Sequence, residues 1–185
     1  MHVVDLVARR LPGSTGVGRY ATALQRELLA MGVDARLTPT FDTKLPPPFV
    51  AWAGARDWDV RAFLASYPPF IQTRQGAIVH LTAQTFASAL WLQPGAVVTV
   101  HDLFPTDDPC RGRAVLTRLV DGLARLGLRR ASAIVTGSEA TAAICRARGL
   151  GGQHGVTTAS YGVDHGIFRR QLVPEQYAAS LGLPT

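Results

Sequence analysis

Two short stretches carry residue types able to do chemistry. The first, "GSTGVGRYATALQREL" (13–28), sets Gly13, Gly16 and Gly18 within six positions, adds Arg19, and runs into an apolar pattern of helical spacing. As a phosphate-gripping P-loop, Gly13 and Gly18 have the spacing, but Arg19 and Tyr20 stand where lysine and a magnesium-holding hydroxyl are required. As a dinucleotide fingerprint, Gly16, Gly18 and Ala21 fit G-x-G-x-x-G/A, yet they lie too far past the preceding apolar run for the first glycine to make its tight turn. The nearest acidic residue to the end of the second strand is Asp42, beyond Pro39. A third reading keeps the physics without a named motif: the N-H groups and positive dipole end of a helix N-terminus, beside Arg19, suit an anion. Against it stands a plain turn whose glycines only permit positive φ.

The second stretch is "TVHD", which ends an apolar run in His101 and Asp102. A neutral imidazole donates one hydrogen bond and accepts another near physiological pH, and Asp102 is placed to orient the ring or cap the following turn. The competing reading is a satisfied histidine at a strand end. His80, near another strand end, reads as packing. His2, His154 and His165 share no metal-ligand spacing, and Cys110 and Cys145 show no CxxC or Cys/His pattern, so neither a metal nor a disulfide is expected.

The elements that must position these residues alternate along the chain. Strand-like runs lie at 2–8, 33–39, 76–82, 95–102, 131–138 and 155–164, rich in β-branched residues and bounded by small ones. Helical spacing appears from Val17 to Met31 with Gly32 as a stop, at 57–67, from Val115 to Leu126, from a Ser138 cap to about Arg148, and in "EQYAASLG". Strands apolar on both faces, taking turns with helices, predict an α/β fold: one doubly wound, Rossmann-like parallel sheet. In such sheets ligands sit beyond the carboxyl ends of the strands. With 185 residues, 47% hydrophobic and 17% charged, the chain suits one folded domain. The opening residues read as a first strand rather than a secretion signal.

The net charge of +6 comes from eighteen arginines and one lysine, scattered with short pairs at Arg9-Arg10, Arg129-Arg130 and Arg169-Arg170. No basic run is interleaved with aromatics, so nucleic acid is not the expected partner. Phosphorylated ligands or acidic lipid head groups are compatible with the same charge.

Four stretches in order, "TGVGRYATALQREL", "VVTVHDLFP", "AIVTGSEAT" and "YGVDHGIF", resemble the amino-terminal half of family 4 retaining glycosyltransferases. The resemblance implies a GT-B architecture, two Rossmann-like domains facing across a cleft, with residues 1–170 forming the acceptor-side domain and 171–185 opening the connection to the other. It implies that the Gly16-Val17-Gly18 turn lies near the diphosphate of a nucleotide-sugar donor; Arg19, read from its own position, either neutralises phosphate or is a solvated helix residue. It further implies that His101 contacts the donor sugar and reacting centre, with Asp102 beside it. Ser138 and Glu139 match the family's Ser-Glu position, where Ser138 reads as a helix cap; Asp164 and Phe168 match the turn closing the first domain. The activity implied is transfer of a sugar to a glycan or lipid-linked acceptor with retention, without a metal or other cofactor, the leaving phosphate taking the acceptor proton.

One departure qualifies that expectation. In the family the donor is held mainly by the second domain, through a spaced pair of glutamates and basic residues, whereas the glutamates here are Glu27, Glu139 and Glu175, without that spacing. The chain is therefore expected to be an excised, truncated or split half, with little activity until a second polypeptide supplies the donor-binding domain. It is expected in the cytoplasm, with contact at the inner membrane face where the acceptor is lipid-linked. Two rival readings stand beside it: a noncatalytic binding or assembly module of the same fold, and an NAD(P)-binding oxidoreductase domain.

Overall fold

The computed structural model describes residues 2–8, 16–39, 73–91, 94–102 and 115–163, with Ser180 and Gly182. Strand β1 (Val3–Ala8), helix α1 (Gly16–Ala30) and strand β2 (Asp34–Pro39) come first; β3 (Ile78–Leu81), a 3-10 helix (Gln84–Trp91) and β4 (Val97–Val100) follow. Helix α2 (Val115–Leu128), β5 (Ala133–Thr136), α3 (Glu139–Ala147) and β6 (Val156–Thr158) complete the order. The expected helix at 57–67, the domain boundary near 170, most of the closing helix, and Gly13, Cys110, Asp164, His165 and Phe168 lie outside the described residues.

The strands form one parallel sheet in the order β2-β1-β3-β4-β5-β6, the α/β Rossmann-like arrangement that the alternation predicts. From β1 the chain first steps one way to β2, then builds every later strand on the other side of β1. Crossovers between parallel strands are right-handed, so this reversal puts α1 on one face and the later helices on the opposite one. The reversal also opens a crevice between the carboxyl ends of β1 and β3.

Local chemistry explains the element ends. Helix α1 stops at Gly32, whose φ of 77° is left-handed; Val33 N-H then bonds the Leu28 carbonyl at 2.9 Å and Gly32 N-H that of Leu29 at 3.0 Å, which satisfies the last carbonyls of the helix. Helix α3 starts at Ser138, in extended backbone, whose Oγ accepts from Thr141 N-H at 3.2 Å. Glu139, next along, accepts from Thr158 Oγ1 at 2.6 Å and from Arg146, tying α3 to β6. Those two hydrogen bonds, the one from Thr158 foremost, hold its carboxyl below the ordinary value.

The core lies on the face of Val7, Leu81, Val98, Val100 and Ile134, beneath Phe86, Ala87 and Leu90 of the 3-10 helix, Leu128 of α2 and Cys145 of α3. Helix α2 seats directly on the 3-10 helix, because a Cβ at Gly127 would collide with the Ala87 carbonyl. Sequence patterning assigned nothing to 84–91; this crossing is a short, tightly wound helix. Strand β6 is shorter than expected, and the residues after Ala159 leave the sheet.

One fully buried charge sits in β1. Asp5 accepts from Arg74 backbone N-H at 2.6 Å and Nε at 2.8 Å and from Arg36 Nη2 at 3.3 Å, while Arg74 Nη1 also meets Asp34 at 2.5 Å. Burial raises the Asp5 carboxyl, but the Arg74 hydrogen bonds and the charges of Arg36 and Arg74 outweigh it and leave it below the ordinary value. Removing one partner strands the other. Asp5→Ala is expected to lower stability by on the order of 3 kcal/mol in urea unfolding, against about 1 kcal/mol for Ser138→Ala. The Asp5 contribution is present above the ordinary carboxyl value of 3.8 and is lost as pH falls through the lower folded value, a loss that Asp5→Ala will not show.

Candidate functional site at the carboxyl edge of the sheet

The segments leaving β3, β4, β5 and β6 and the first turn of α1 share one edge. Gly16, Val17 and Gly18 belong to α1 itself rather than to a loop ahead of it, with Gly16 exposed and Gly18 buried. A Cβ on Gly16 would meet nothing within 4 Å, and its φ is not left-handed, so neither space nor backbone angle requires glycine there. Arg19 is exposed on the same turn.

Tyr20, the next residue, joins this helix end to His101. Its ring stands edge-on to the imidazole with centroids 5.1 Å apart. Its hydroxyl lies 2.9 Å from Thr99 Oγ1, which in turn lies 2.8 Å from His80 Nε2. His80 pairs with Val97 across the sheet, so His80 and Thr99 occupy the face opposite the apolar core. Burial drives the His80 imidazole down to about 4. His80 is thus more than packing: a neutral ring that anchors Thr99 under Tyr20. The Tyr20 hydroxyl is pushed up, chiefly by burial, against the lowering effect of its Thr99 bond.

His101 follows β4, with both ring nitrogens engaged. Nε2 lies 2.9 Å from the Thr82 carbonyl and Nδ1 lies 2.6 Å from Tyr161 Oη. A carbonyl only accepts, so Nε2 carries the proton; in the neutral ring Nδ1 then accepts from the Tyr161 hydroxyl. Gln84 fixes the backbone: its Oε1 accepts from His101 N-H at 3.2 Å, and its amide donates to the Asp102 carbonyl and Oδ1, both at 3.0 Å. Of the two roles expected of Asp102, orienting the imidazole or capping the following turn, the second falls on residues outside those described. The ring is oriented by Thr82 and Tyr161, because the Asp102 carboxylate is turned to Gln84.

The Tyr161 ring is half-exposed and lies where a Cβ on Gly137 would be, tilted 37° to His101 at 5.6 Å and at 71° to Tyr20 at 5.6 Å. Burial pushes its hydroxyl up, with further contributions from Tyr20 and Asp102. Gly16, Gly18, Arg19, His101 and Asp102 therefore share one edge, joined by Tyr20, Gln84 and Tyr161, which were not singled out from the sequence. Their signal was topological: Gln84 and Tyr161 lie within a few residues of a strand's carboxyl end, and Tyr20 directly follows the first turn of α1. Among the described residues no group of three His, Cys, Asp or Glu side chains is placed to hold a metal, and no helix is long and apolar enough to cross a membrane.

The glycosyl transferase 4-like domain matches residues 15–162, most of the chain, and the protein belongs to that family. No curated protein matches it.

His80 makes a prediction that needs no ligand. A histidine kept neutral by the fold gains its proton on unfolding, so stability is expected to fall as pH drops from 6.5 to about 4. The full fall is up to about 3 kcal/mol at 1.36 kcal/mol per pH unit. His80→Gln, which retains a polar partner for Thr99, is expected to flatten urea-unfolding stability across that window.

Proposed function

We propose that this glycosyltransferase-4-like domain is the acceptor-side half of a GT-B enzyme that moves a sugar from a nucleotide diphosphate to a glycan or lipid-linked acceptor with retention. The observation that carries the reading is the convergence of the glycine-led start of α1 and His101 on one sheet edge, at the reversal of strand order. The space beside Gly16, where a Cβ would meet nothing within 4 Å among the described residues, supports close approach by a ligand.

In this reading the positive end of α1, with Arg19, stabilises the departing diphosphate, and His101 positions the donor sugar. The departing phosphate takes the acceptor proton, so no carboxylate base is called for. Asp102 acts through the backbone that it and Gln84 hold, not on the ring. The two described glutamates support assigning the donor grip to a facing domain: Glu139 is committed to Arg146 and Thr158, and Glu27 pairs with Arg26.

The test is release of nucleotide diphosphate from sugar donors by the chain alone and by the chain combined with a donor-binding domain. Turnover is expected from the combination only. His101→Ala is expected to reduce it about a hundredfold or more. Gly16→Ala should weaken diphosphate binding without lowering the unfolding midpoint. Turnover by the chain alone, or a Gly16→Ala variant with unaltered binding, contradicts the proposal.

A further inference from the structure

We propose that Tyr161 is a positioning residue that latches His101, holding Nδ1 until a ligand hydroxyl replaces the phenol as its donor. The inference rests on the reading of the edge as a sugar site and adds the polarity of the contact.

The imidazole has one proton to give in its neutral form, and the Thr82 carbonyl takes it at 2.9 Å. What remains is a lone pair on Nδ1, occupied by the Tyr161 hydroxyl at 2.6 Å. His101 therefore cannot donate to a ligand without breaking its bond to Thr82. It can accept, once the phenol withdraws. The polar partner that fits is a hydroxyl group, the commonest donor on a sugar; a deoxy, fluoro or methoxy group at that point offers no proton.

The parts of the latch differ in mobility. On the fixed side, Thr82 is buried, and Gln84 holds the His101 backbone N-H. On the movable side, Tyr161 is 47% exposed and lies beyond the end of β6. Gly137 is what allows the closed position, because any side chain there would take the space of the phenol ring. Tyr20 stays with Thr99 and keeps the imidazole edge in place when the phenol leaves.

The latch is tested in the intact chain, first without ligand. With 15N-labelled histidine, the wild-type His101 is expected to show protonated Nε2 and a hydrogen-bonded Nδ1. In both Tyr161→Phe and Gly137→Ala the Nδ1 signal is expected to move toward that of an unbonded pyridine-type nitrogen. The second arm is binding of UDP-glucose and GDP-mannose as probes to the chain combined with the donor-binding domain. Removing the competing donor should tighten binding in Tyr161→Phe about threefold to tenfold, the range set by one hydrogen bond. An Nδ1 signal unchanged in both variants overturns the latch, as does a wild-type ring protonated on Nδ1. A moved signal with equal or weaker binding in Tyr161→Phe overturns the displacement by ligand. Failure of wild type and variant alike to bind either probe, with the Nδ1 signal moved, overturns the nucleotide-sugar reading instead.

Discussion

Parallel pairing is the constraint from which the site follows. When neighbouring strands run the same way, each connection must travel back across the sheet, and each segment leaving a carboxyl end begins on the same edge. His101 after β4, Gln84 after β3 and Tyr161 after β6 are far apart in sequence, yet all meet there. Reversal of strand order at β1 adds the start of α1 to that edge from the other face. The glycosyl transferase 4-like domain thus owes its candidate site to a direction of chain travel before any side chain is considered.

A second layer of control comes from polar groups that the fold has partly or wholly taken from water. An unmet buried donor or acceptor costs about 1–3 kcal/mol, so such groups hold their partners in place. The chain from His80 through Thr99 to Tyr20 and the clamp of Gln84 on His101 and Asp102 work this way at the carboxyl edge. Asp5 works similarly from within β1, where it binds the start of the β3 segment through Arg74 and β2 through Arg36. Among the described residues these contacts hold Thr99, His101 and Asp102 at the carboxyl edge, while the phenol of Tyr161 stays 47% exposed.

Much of the scaffold could be read in the sequence because its periodicities are local. The apolar runs marked the strands, Gly32 and Ser138 marked helix ends, and both caps act through neighbouring backbone groups. The glycine-led start of α1 and His101 were also visible, since residue type and strand-end position suffice to raise them. What sequence could not supply was pairing between distant side chains. Nothing near Asp102 reveals that Gln84 claims its carboxylate, and nothing near Tyr161 reveals that Gly137 leaves room for its ring. The 3-10 helix escaped because its eight residues are mostly small or apolar without a clear helical stripe. His80 looked like packing because a histidine on a buried strand says nothing of the hydroxyl opposite it.

The seat of α2 on the 3-10 helix has a mechanical consequence. Side-chain layers usually let packed helices slide a little by changing rotamers, but at Gly127 the main chains touch with no such layer between them. Nearby, Trp91 donates to the Leu123 carbonyl at 3.4 Å and carries the Arg130 guanidinium 5.3 Å from its ring centre. The same 3-10 helix begins with Gln84, which grips the residues after β4. One short helix thus carries both the close main-chain seat of α2 and the side chain that holds the His101 backbone, so the packing of α2 and the placing of the imidazole share a single support.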